Sequence, residues 1–222
     1  MPPEQSLELQ RDALLSGAHA LGLALSDTEC EGLLDYLALL QKWNAVYNLT
    51  ALRHPAEMLT HHLLDSLAVL PPLRRHLSGR AARILDVGSG GGLPGVVLAI
   101  LEPHLEVTCV DAVGKKAIFV RQVGVELKLP NLGAVHARVE DLRLPPFDVV
   151  TSRAFASLAD FTRLTRHLVG EQGVWMALKG KTPDDEIAAL PPDWSVFHVE
   201  QLTVPGLNAE RCLVWIRKSA PR

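Results

Sequence analysis

The stretch ILDVGSGGGLPG, residues 84–95, places five glycines and one proline behind an apolar run that contains Asp86. Glycine lacks a Cβ atom and tolerates unusual backbone angles, so a ligand can lie against such a loop and against the amides of a following helix. The spacing Gly90-x-Gly92-x-x-Gly95 would suit a dinucleotide, whereas Gly88-x-Gly90-x-Gly92 is typical of S-adenosylmethionine sites. The loop therefore predicts a nucleotide-containing ligand and, by itself, leaves both classes open.

Three acidic positions favour S-adenosylmethionine over a dinucleotide. Asp86 stands two residues before the first glycine, where its charge would repel a pyrophosphate but would suit the ammonium and sulfonium groups. Asp111 is placed to accept hydrogen bonds from ribose hydroxyls, as NAD enzymes also require, and Glu140 to recognise the adenine amino group or a neighbouring amide. The alternative is that Asp111 and Glu140 only begin helices, as strand-end acids often do.

The first third of the chain must supply helices. Residues 1–75 carry apolar side chains at helical spacing in three segments, LELQRDALLSGAHALG, SDTECEGLLDYLALLQKW and PAEMLTHHLLDSLAVL. Ser26 with Glu29 predicts a capping box at the start of the second helix, and Pro55 suits the first turn of the third. We therefore predict an N-terminal helical extension over residues 1–75 and a second domain over residues 76–222.

The second domain must supply a sheet. From residue 81, the short runs ARILDVG, EVTCVDA, LGAVHA, FDVVTSR and GVWMALKG alternate with helical segments, which is typical of a parallel sheet with crossover helices. The runs WSVFHVEQLTV and ERCLVWIRK are joined by PGLNA and predict an antiparallel hairpin. With the glycine loop after the first strand and a helix opening at Pro94, the predicted class is α/β. We predict the Rossmann-like fold of class I S-adenosylmethionine-dependent methyltransferases, with seven mostly parallel strands.

Composition narrows the function classes. A chain of 222 residues that is 48% hydrophobic fits one sizeable core with a small appendage. Its net charge of −3 argues against binding of polyanions by overall charge alone, so we expect local basic patches to bind any nucleic acid. Neither a membrane-length apolar run nor a signal peptide is present, so we expect no membrane association and a cytoplasmic location. The three cysteines are an odd number without a close pair, which argues against a disulfide framework.

Other polar clusters have weaker interpretations. His61, His62 and Asp65 share one predicted helix at metal-compatible spacing, but such sets are more often a polar helix face, and we predict no metal site. Lys179 lies at the end of a predicted strand, on the edge of the sheet where the ligand is expected, and a purely structural role explains this lysine less well. Asn48 could simply cap the preceding helix.

The aromatic residues near the predicted cleft also have two interpretations. Trp43, Tyr47 and Phe155 could stack on an RNA base, although aromatic residues at helix ends belong more often to the core.

Several segments outside the glycine loop carry a family resemblance. They are KWNAVYNLTALRHPAEMLTHHLLDSLAVL, VDAVGKKAIFVRQVGVELKL, ARVED, FDVVTSRAFASL and GEQGVWMALKG, in this order with the loop between the first two. Over roughly residues 20–217 the sequence resembles the RsmG family, also called GidB. This resemblance implies a methyltransferase that uses S-adenosylmethionine to methylate N7 of a guanine in 16S ribosomal RNA.

The resemblance also implies roles for individual residues. Positions that match the family's cofactor loop, where the methionine part is held, are Gly88, Ser89, Gly90, Gly92 and Leu93. Asp111 matches the ribose acid, Val139 and Glu140 the adenine side, and Arg153 an arginine beside cofactor and substrate.

Four further positions match polar family residues around the guanine pocket, namely Asn44, Asn48, His62 and Lys179. The chain departs from the family at His61, where an arginine is more common, so a phosphate-facing charge would be weakened there.

The implied chemistry agrees with the motifs. Guanine N7 already exposes a lone pair, so methyl transfer requires alignment and no proton removal. The Pro-Cys motif of pyrimidine-carbon methylation and the Asp/Asn-Pro-Pro-aromatic loop of amine methylation are absent from the sequence, whereas a Lys-Asp-Lys-Glu set remains open. The expected partner is 16S RNA within the 30S subunit or an assembly intermediate, and the expected state is a monomer. Two rival functions are a methyltransferase for another substrate and a non-enzymatic RNA-binding assembly protein.

Overall fold

The computed structural model describes residues 3–155 and 157–219. Its helices are α1 (Pro3–Ala20), α2 (Asp27–Tyr47), α3 (Pro55–Met58), α4 (Asp65–Leu67), α5 (Leu70–Leu77), α6 (Gly95–Leu101), α7 (Gly114–Glu126), α8 (Leu158–Thr165) and α9 (Asp184–Ala188). A π-helix (Leu59–Leu64) lies between α3 and α4, and a 3-10 turn (Val139–Asp141) lies before β4. The strands are β1 (Ala82–Val87), β2 (Leu105–Asp111), β3 (Leu132–His136), β4 (Phe147–Ser152), β5 (Val169–Lys179), β6 (Trp194–Leu202) and β7 (Arg211–Lys218).

The seven strands form one sheet in the order β3-β2-β1-β4-β5-β7-β6. Strands β1 to β5 pair in parallel, whereas β7 runs antiparallel to both β5 and β6. The predicted α/β fold class, with its C-terminal antiparallel hairpin, is therefore confirmed. The strand order reverses between β1 and β4, and ligands of open α/β sheets bind outside the carboxyl ends of the strands at such a point.

Helix α2 begins and ends as its sequence predicts. The Ser26 hydroxyl accepts a hydrogen bond from the Glu29 amide, and the Glu29 carboxylate accepts one from the Ser26 amide at 2.7 Å, which confirms the capping box. At the other end Asn48 has a φ of 49° and donates its backbone N–H to the Asn44 carbonyl. Asn48 therefore caps α2.

The segment predicted as a third helix begins at Pro55, as expected, but it is not one α-helix. A π-helical turn over Leu59–Leu64 separates α3 from α4. Such turns are rare and occur frequently at functional sites. His62 lies in this turn and Asp65 directly follows it.

Buried apolar residues cover both faces of the sheet. One cluster joins α1, α2 and α5 to α6, α7 and one sheet face, so the helical extension shares a core with the sheet. The other cluster packs α8 against the opposite face. Cys30, Cys109 and Cys212 are buried free thiols. Among the helices that the structure describes, none has the length and apolar character required to cross a bilayer.

Candidate active site

The glycine loop follows β1 and ends at the start of α6. Gly88, Gly90 and Gly92 have φ angles of 66°, 58° and 91°, which residues other than glycine rarely adopt. A Cβ atom added to Gly90 would meet no atom within 4 Å, whereas one on Gly92 would lie 2.4 Å from Val96 Cγ2. Gly90 thus keeps the space above the loop open, and Gly92 permits close packing of α6.

The centre of the loop is fixed by its own backbone. Ser89 and Leu93 are buried, and the Ser89 carbonyl accepts hydrogen bonds from the amides of Gly92 and Leu93 at 2.8 and 3.0 Å. The Gly88 amide donates to the Val110 carbonyl at 2.8 Å, which ties the loop to the end of β2. These hydrogen bonds fix the backbone of the loop.

Asp111 connects this loop to the second predicted acid position. Its Oδ2 accepts a hydrogen bond from the Gly90 amide at 2.9 Å, and its Oδ1 accepts one from the Val113 amide at 2.8 Å. Each carboxylate oxygen has a further lone-pair direction, and Asp111 lines a recess at the strand ends. Asp111 can therefore fix the loop and still accept ribose hydroxyls.

Asp86 lies beneath the loop and has no exposed surface. Its Oδ2 accepts a hydrogen bond from the Gly95 amide at 2.8 Å, whereas Oδ1 has no hydrogen-bond partner among the described residues. Burial raises the pKa of Asp86 to about 7, although the Gly95 hydrogen bond and Arg153 oppose that rise. The structure thus gives Asp86 a direct role in anchoring α6, and its predicted contact with the ligand ammonium stays a prediction.

A recess of about 220 Å³ lies above β1, β2 and β3 at their carboxyl ends. Its lining residues are Val87, Gly88, Val110, Asp111, Ala112, Ala137, Arg138, Val139, Glu140, Ala154, Phe155 and Leu164. Apolar walls with one buried carboxylate suit a flat purine and its ribose, and the open space above Gly90 suits an attached chain. We call this recess the nucleoside cleft, and its residues fit the adenosyl group of S-adenosylmethionine.

Val139 and Glu140 differ within the cleft. Val139 is buried, whereas Glu140 is exposed and lies 3.7 Å from Arg138. Phe155 also lines the cleft and packs against Phe161 at 5.2 Å between ring centroids. Phe155 therefore lies in the nucleoside cleft, whereas the sequence analysis considered it for stacking on an RNA base.

A second, polar recess of about 300 Å³ is lined in part by Arg153, and the two residues that follow Arg153 line the nucleoside cleft. Its lining residues are Asp65, Arg153, Leu178, Lys179, Gly180 and Arg211, and we call it the cationic recess. Both predicted cations, Arg153 and Lys179, lie here. Each also has an acidic partner, because Arg153 Nη1 lies 2.8 Å from Asp65 Oδ2 and Lys179 Nζ lies 2.8 Å from Glu186 Oε2.

The polar residues of the α2 end form a network of their own. The Asn44 side chain accepts a hydrogen bond from the Thr50 amide and donates one to the Leu52 carbonyl, both at 2.8 Å. The Thr50 hydroxyl lies 2.9 Å from His62 Nε2. The Asn44 side-chain amide therefore holds the loop after α2. The Asn48 side chain is exposed and accepts a hydrogen bond from Arg53 at 3.0 Å.

His62 is the ionisable member of this network. Burial, followed by the nearby charge of Arg153, lowers its pKa to about 4. Its Nδ1 is buried and has no hydrogen-bond partner among the described residues. His62 is therefore neutral across the physiological pH range.

The aromatic residues of α2 belong mainly to the core. Trp43 packs against Phe119 at 5.6 Å and against Tyr47 at 5.2 Å between ring centroids. Tyr47 remains 44% exposed and is the one of this pair with a surface available for stacking.

Three site residues were missed by the sequence reasoning. Tyr36 donates a hydrogen bond to the Gly91 carbonyl, Thr50 contacts His62, and Arg211 pairs with Asp65. Thr50 lies in the segment KWNAVYNLTALRHPAEMLTHHLLDSLAVL, which carries the family resemblance, so the sequence could have marked it. Tyr36 and Arg211 lie in segments whose polar residues carry no motif, so only the fold brings them to the site.

The strand order, the glycine loop after β1 and the nucleoside cleft at the carboxyl ends define a class I methyltransferase. Ribosomal protein L11 methylase from Lactobacillus delbrueckii subsp. bulgaricus shares this fold with a TM-score of 0.55 and 10% identity. That match covers 70% of this chain and 78% of the other.

The comparisons also place the chain in one family within this class. A family model for GidB, the rRNA small subunit methyltransferase G, matches residues 29–214, and the chain belongs to this family. It is 63% identical over 216 residues to ribosomal RNA small subunit methyltransferase G of Acidovorax sp. (strain JS42), covering 94% of this chain and 95% of that protein. The protein of the same name from Leptothrix cholodnii is 61% identical over 211 residues, covering 95% and 97% of the two chains.

Proposed function

We propose that this protein transfers a methyl group from S-adenosylmethionine to N7 of a guanine in 16S ribosomal RNA. The observation that carries the proposal is the nucleoside cleft, built in a chain that is 63% identical to a ribosomal RNA small subunit methyltransferase G. When bound, S-adenosylmethionine supplies an electrophilic methyl group on a sulfonium. The protein must hold that group and the guanine in line.

The proposed ligand contacts follow the lining of the cleft. Asp111 accepts hydrogen bonds from the ribose hydroxyls, since its carboxylate lies at the end of β2 and faces the recess. Val139 packs against the adenine, and Glu140 lies at the same wall for its polar edge. The backbone around Gly90 receives the methionine part because no side chain occupies that space.

Methyl transfer to guanine N7 requires that the guanine is positioned and requires no general base. The N7 lone pair carries no proton, so a neutral, buried His62 is compatible with the reaction. Asn44 and His62 hold Thr50 in place through hydrogen bonds, and His62 lies close enough to Arg153 for that charge to lower the His62 pKa. Asn48 and Lys179 stay proposed substrate-side residues on the strength of the family motifs.

We further propose that the substrate is the 30S subunit or an assembly intermediate. The net charge of −3 supports this, because neighbouring ribosomal surfaces can supply contacts that a near-neutral protein does not gain from charge alone. A monomeric state and a cytoplasmic location complete the proposal.

A methyl-transfer assay tests the function directly. Labelled S-adenosylmethionine is supplied with hypomethylated 30S subunits, naked 16S RNA or bulk protein, and labelled RNA is mapped by the chain cleavage that N7-methylguanine permits after reduction. We expect label at one guanine of 16S RNA. Label on protein or at another atom would contradict the proposal in favour of a different methyltransferase, and ligand binding without transfer to any substrate would favour the non-enzymatic rival.

A further inference from the structure

One buried carboxylate is shared by two guanidinium groups in the cationic recess. Asp65 Oδ2 lies 2.8 Å from Arg153 Nη1, and Asp65 Oδ1 lies 2.8 Å from Arg211 Nε. Asp65 is 4% exposed, whereas the side chains of Arg153 and Arg211 are 26% and 25% exposed. The acid therefore forms the floor of the recess, and both cations reach its open side.

This group of three residues carries a net positive charge that its own contacts do not balance. The single negative charge of Asp65 faces two positive charges, because each of its carboxylate oxygens pairs with a different arginine. Beyond Asp65, the only hydrogen bond of Arg211 within the described residues goes to the Glu210 carbonyl, and Arg153 has none. Several guanidinium N–H groups are thus available for a further acceptor.

A purely structural role explains this arrangement poorly. A buried ion pair contributes little net stability, because the cost of desolvating the two charges offsets their attraction. A second guanidinium group adds repulsion between like charges. An anion in the recess would relieve that repulsion and would meet planar N–H forks of the kind that bind phosphate in two places. The arrangement is therefore better suited to receiving an anion than to joining elements.

The position of the recess indicates which anion it receives. Arg153 directly precedes Ala154 and Phe155, which line the nucleoside cleft, so consecutive residues of one segment line the two recesses. Asp65 comes from the helical extension directly after the π-helix, and Arg211 begins β7 on the far side of β5. A polymer whose guanine enters beside the cleft would pass its backbone over this point.

We propose that Arg153 and Arg211, aligned by Asp65, bind one backbone phosphate of the RNA beside the target guanine. Asp65 is the positioning residue of this phosphate site, because it orients both guanidinium groups and does not itself contact the RNA. The inference rests on the proposed function and adds Asp65 and Arg211 to its substrate side. The competing anion of the same chemistry is the carboxylate of the methionine part.

The test compares Arg211→Gln with the full-length wild type in three measurements. They are the dissociation constant of S-adenosylmethionine by calorimetry, equilibrium binding of hypomethylated 30S subunits across a salt series, and steady-state methyl transfer. Loss of one charge-assisted contact should weaken subunit binding roughly tenfold. Loss of one phosphate contact should also reduce the slope of log affinity against log salt by about 0.7 to 0.9. The KM for subunits should rise more than kcat falls, and the affinity for S-adenosylmethionine should be unchanged.

Two further variants separate the phosphate site from a structural role. Arg211→Lys keeps the charge but loses the planar fork, so it should preserve the salt slope and recover only part of the affinity. Asp65→Asn should weaken subunit binding at an unchanged salt slope, because both cations remain but lose their alignment.

Arg74→Gln is the matched control. It removes an arginine from another buried carboxylate, Glu102, away from the strand carboxyl ends. It should lower stability without changing subunit affinity or salt slope.

Three results would overturn the proposal. The first is a folded Arg211→Gln protein with wild-type subunit affinity and salt slope. The second is weakened S-adenosylmethionine binding with intact subunit binding, which would assign the recess to the methionine carboxylate. The third is an equal loss of subunit binding in Arg74→Gln. Because subunit binding is measured without turnover, these results are distinguishable from a failure of the methyl-transfer function itself.

Discussion

The hydroxyl of Tyr36 donates a 2.6 Å hydrogen bond to the carbonyl oxygen of Gly91. Tyr36 belongs to α2 and has no exposed surface. Leu40, one turn later, covers the same glycine, since a Cβ atom added there would lie 2.9 Å from Leu40 Cδ1. The helical extension therefore supports the glycine loop from the protein interior, while Gly90 faces open space.

Tyr36→Phe should weaken this support without creating a cavity. The Gly91 carbonyl would lose a buried donor, which costs about 1 to 3 kcal/mol of unfolding free energy. We also expect weaker S-adenosylmethionine binding, because the loop would be less well ordered before the ligand arrives. Urea denaturation and calorimetry measure the two effects. The matched control is Tyr47→Phe, at an exposed tyrosine of the same helix, and equal effects in both variants would contradict the role of the Tyr36 hydroxyl.

Gly90→Val should abolish S-adenosylmethionine binding, because its side chain would enter the space above the loop. The substitution also costs on the order of 1 to 3 kcal/mol of stability, since valine is strained at a φ of 58°. Gly22→Val supplies the control, because Gly22 also has a positive φ, 74°, with no atom within 4 Å of an added Cβ, but lies after α1. Calorimetry on both folded variants should show binding only for Gly22→Val. Wild-type affinity in Gly90→Val would refute the placement of the methionine part.

The sequence predicted those parts of the molecule that depend on local pattern. The order of strands and helices, the Ser26 capping box and the positions of the glycine loop and Asp111 all follow from spacing within a few residues. The partner of Arg153 could not be predicted, since Asp65 and Arg153 are separated by 88 positions and only the packed fold joins them. The π-helix was missed because its apolar spacing matches that of an ordinary helix.

Asp86→Asn should change the pH dependence of stability. In the wild type the folded-state pKa is about 7 against an ordinary 3.8, so the folded state binds more protons between these values. The contribution of Asp86 to the unfolding free energy therefore falls as pH rises from 3.8 to 7, by on the order of 4 kcal/mol. Asparagine keeps an acceptor for the Gly95 amide and does not titrate. Relative to wild type, the variant should gain stability between pH 4.5 and pH 8 in urea denaturation, and a constant difference would contradict the raised pKa.

His62 gives the opposite dependence. Its folded-state pKa of about 4 lies below the ordinary 6.5, so the unfolded state binds more protons between these values. Stability from this residue is fully present above pH 6.5 and is lost as pH falls toward 4, by on the order of 3 kcal/mol. His62→Gln keeps a polar partner for Thr50 and removes the titration. Thermal melts of the variant should therefore depend less on pH between 4.5 and 6.5 than those of the wild type.

The same low pKa makes a prediction about the chemical step. A base that is already neutral above pH 4 does not change its protonation state between pH 6 and 8.5, and the N7 lone pair carries no proton to remove. The single-turnover rate of methyl transfer should therefore be nearly flat across this range. His62→Gln should retain much of that rate, whereas Asn44→Ala should lose more, because the Asn44 side chain alone holds both the Thr50 amide and the Leu52 carbonyl. A steep rise in rate through pH 6.5 that disappears in His62→Gln would contradict both the low pKa of His62 and a transfer step that requires no base.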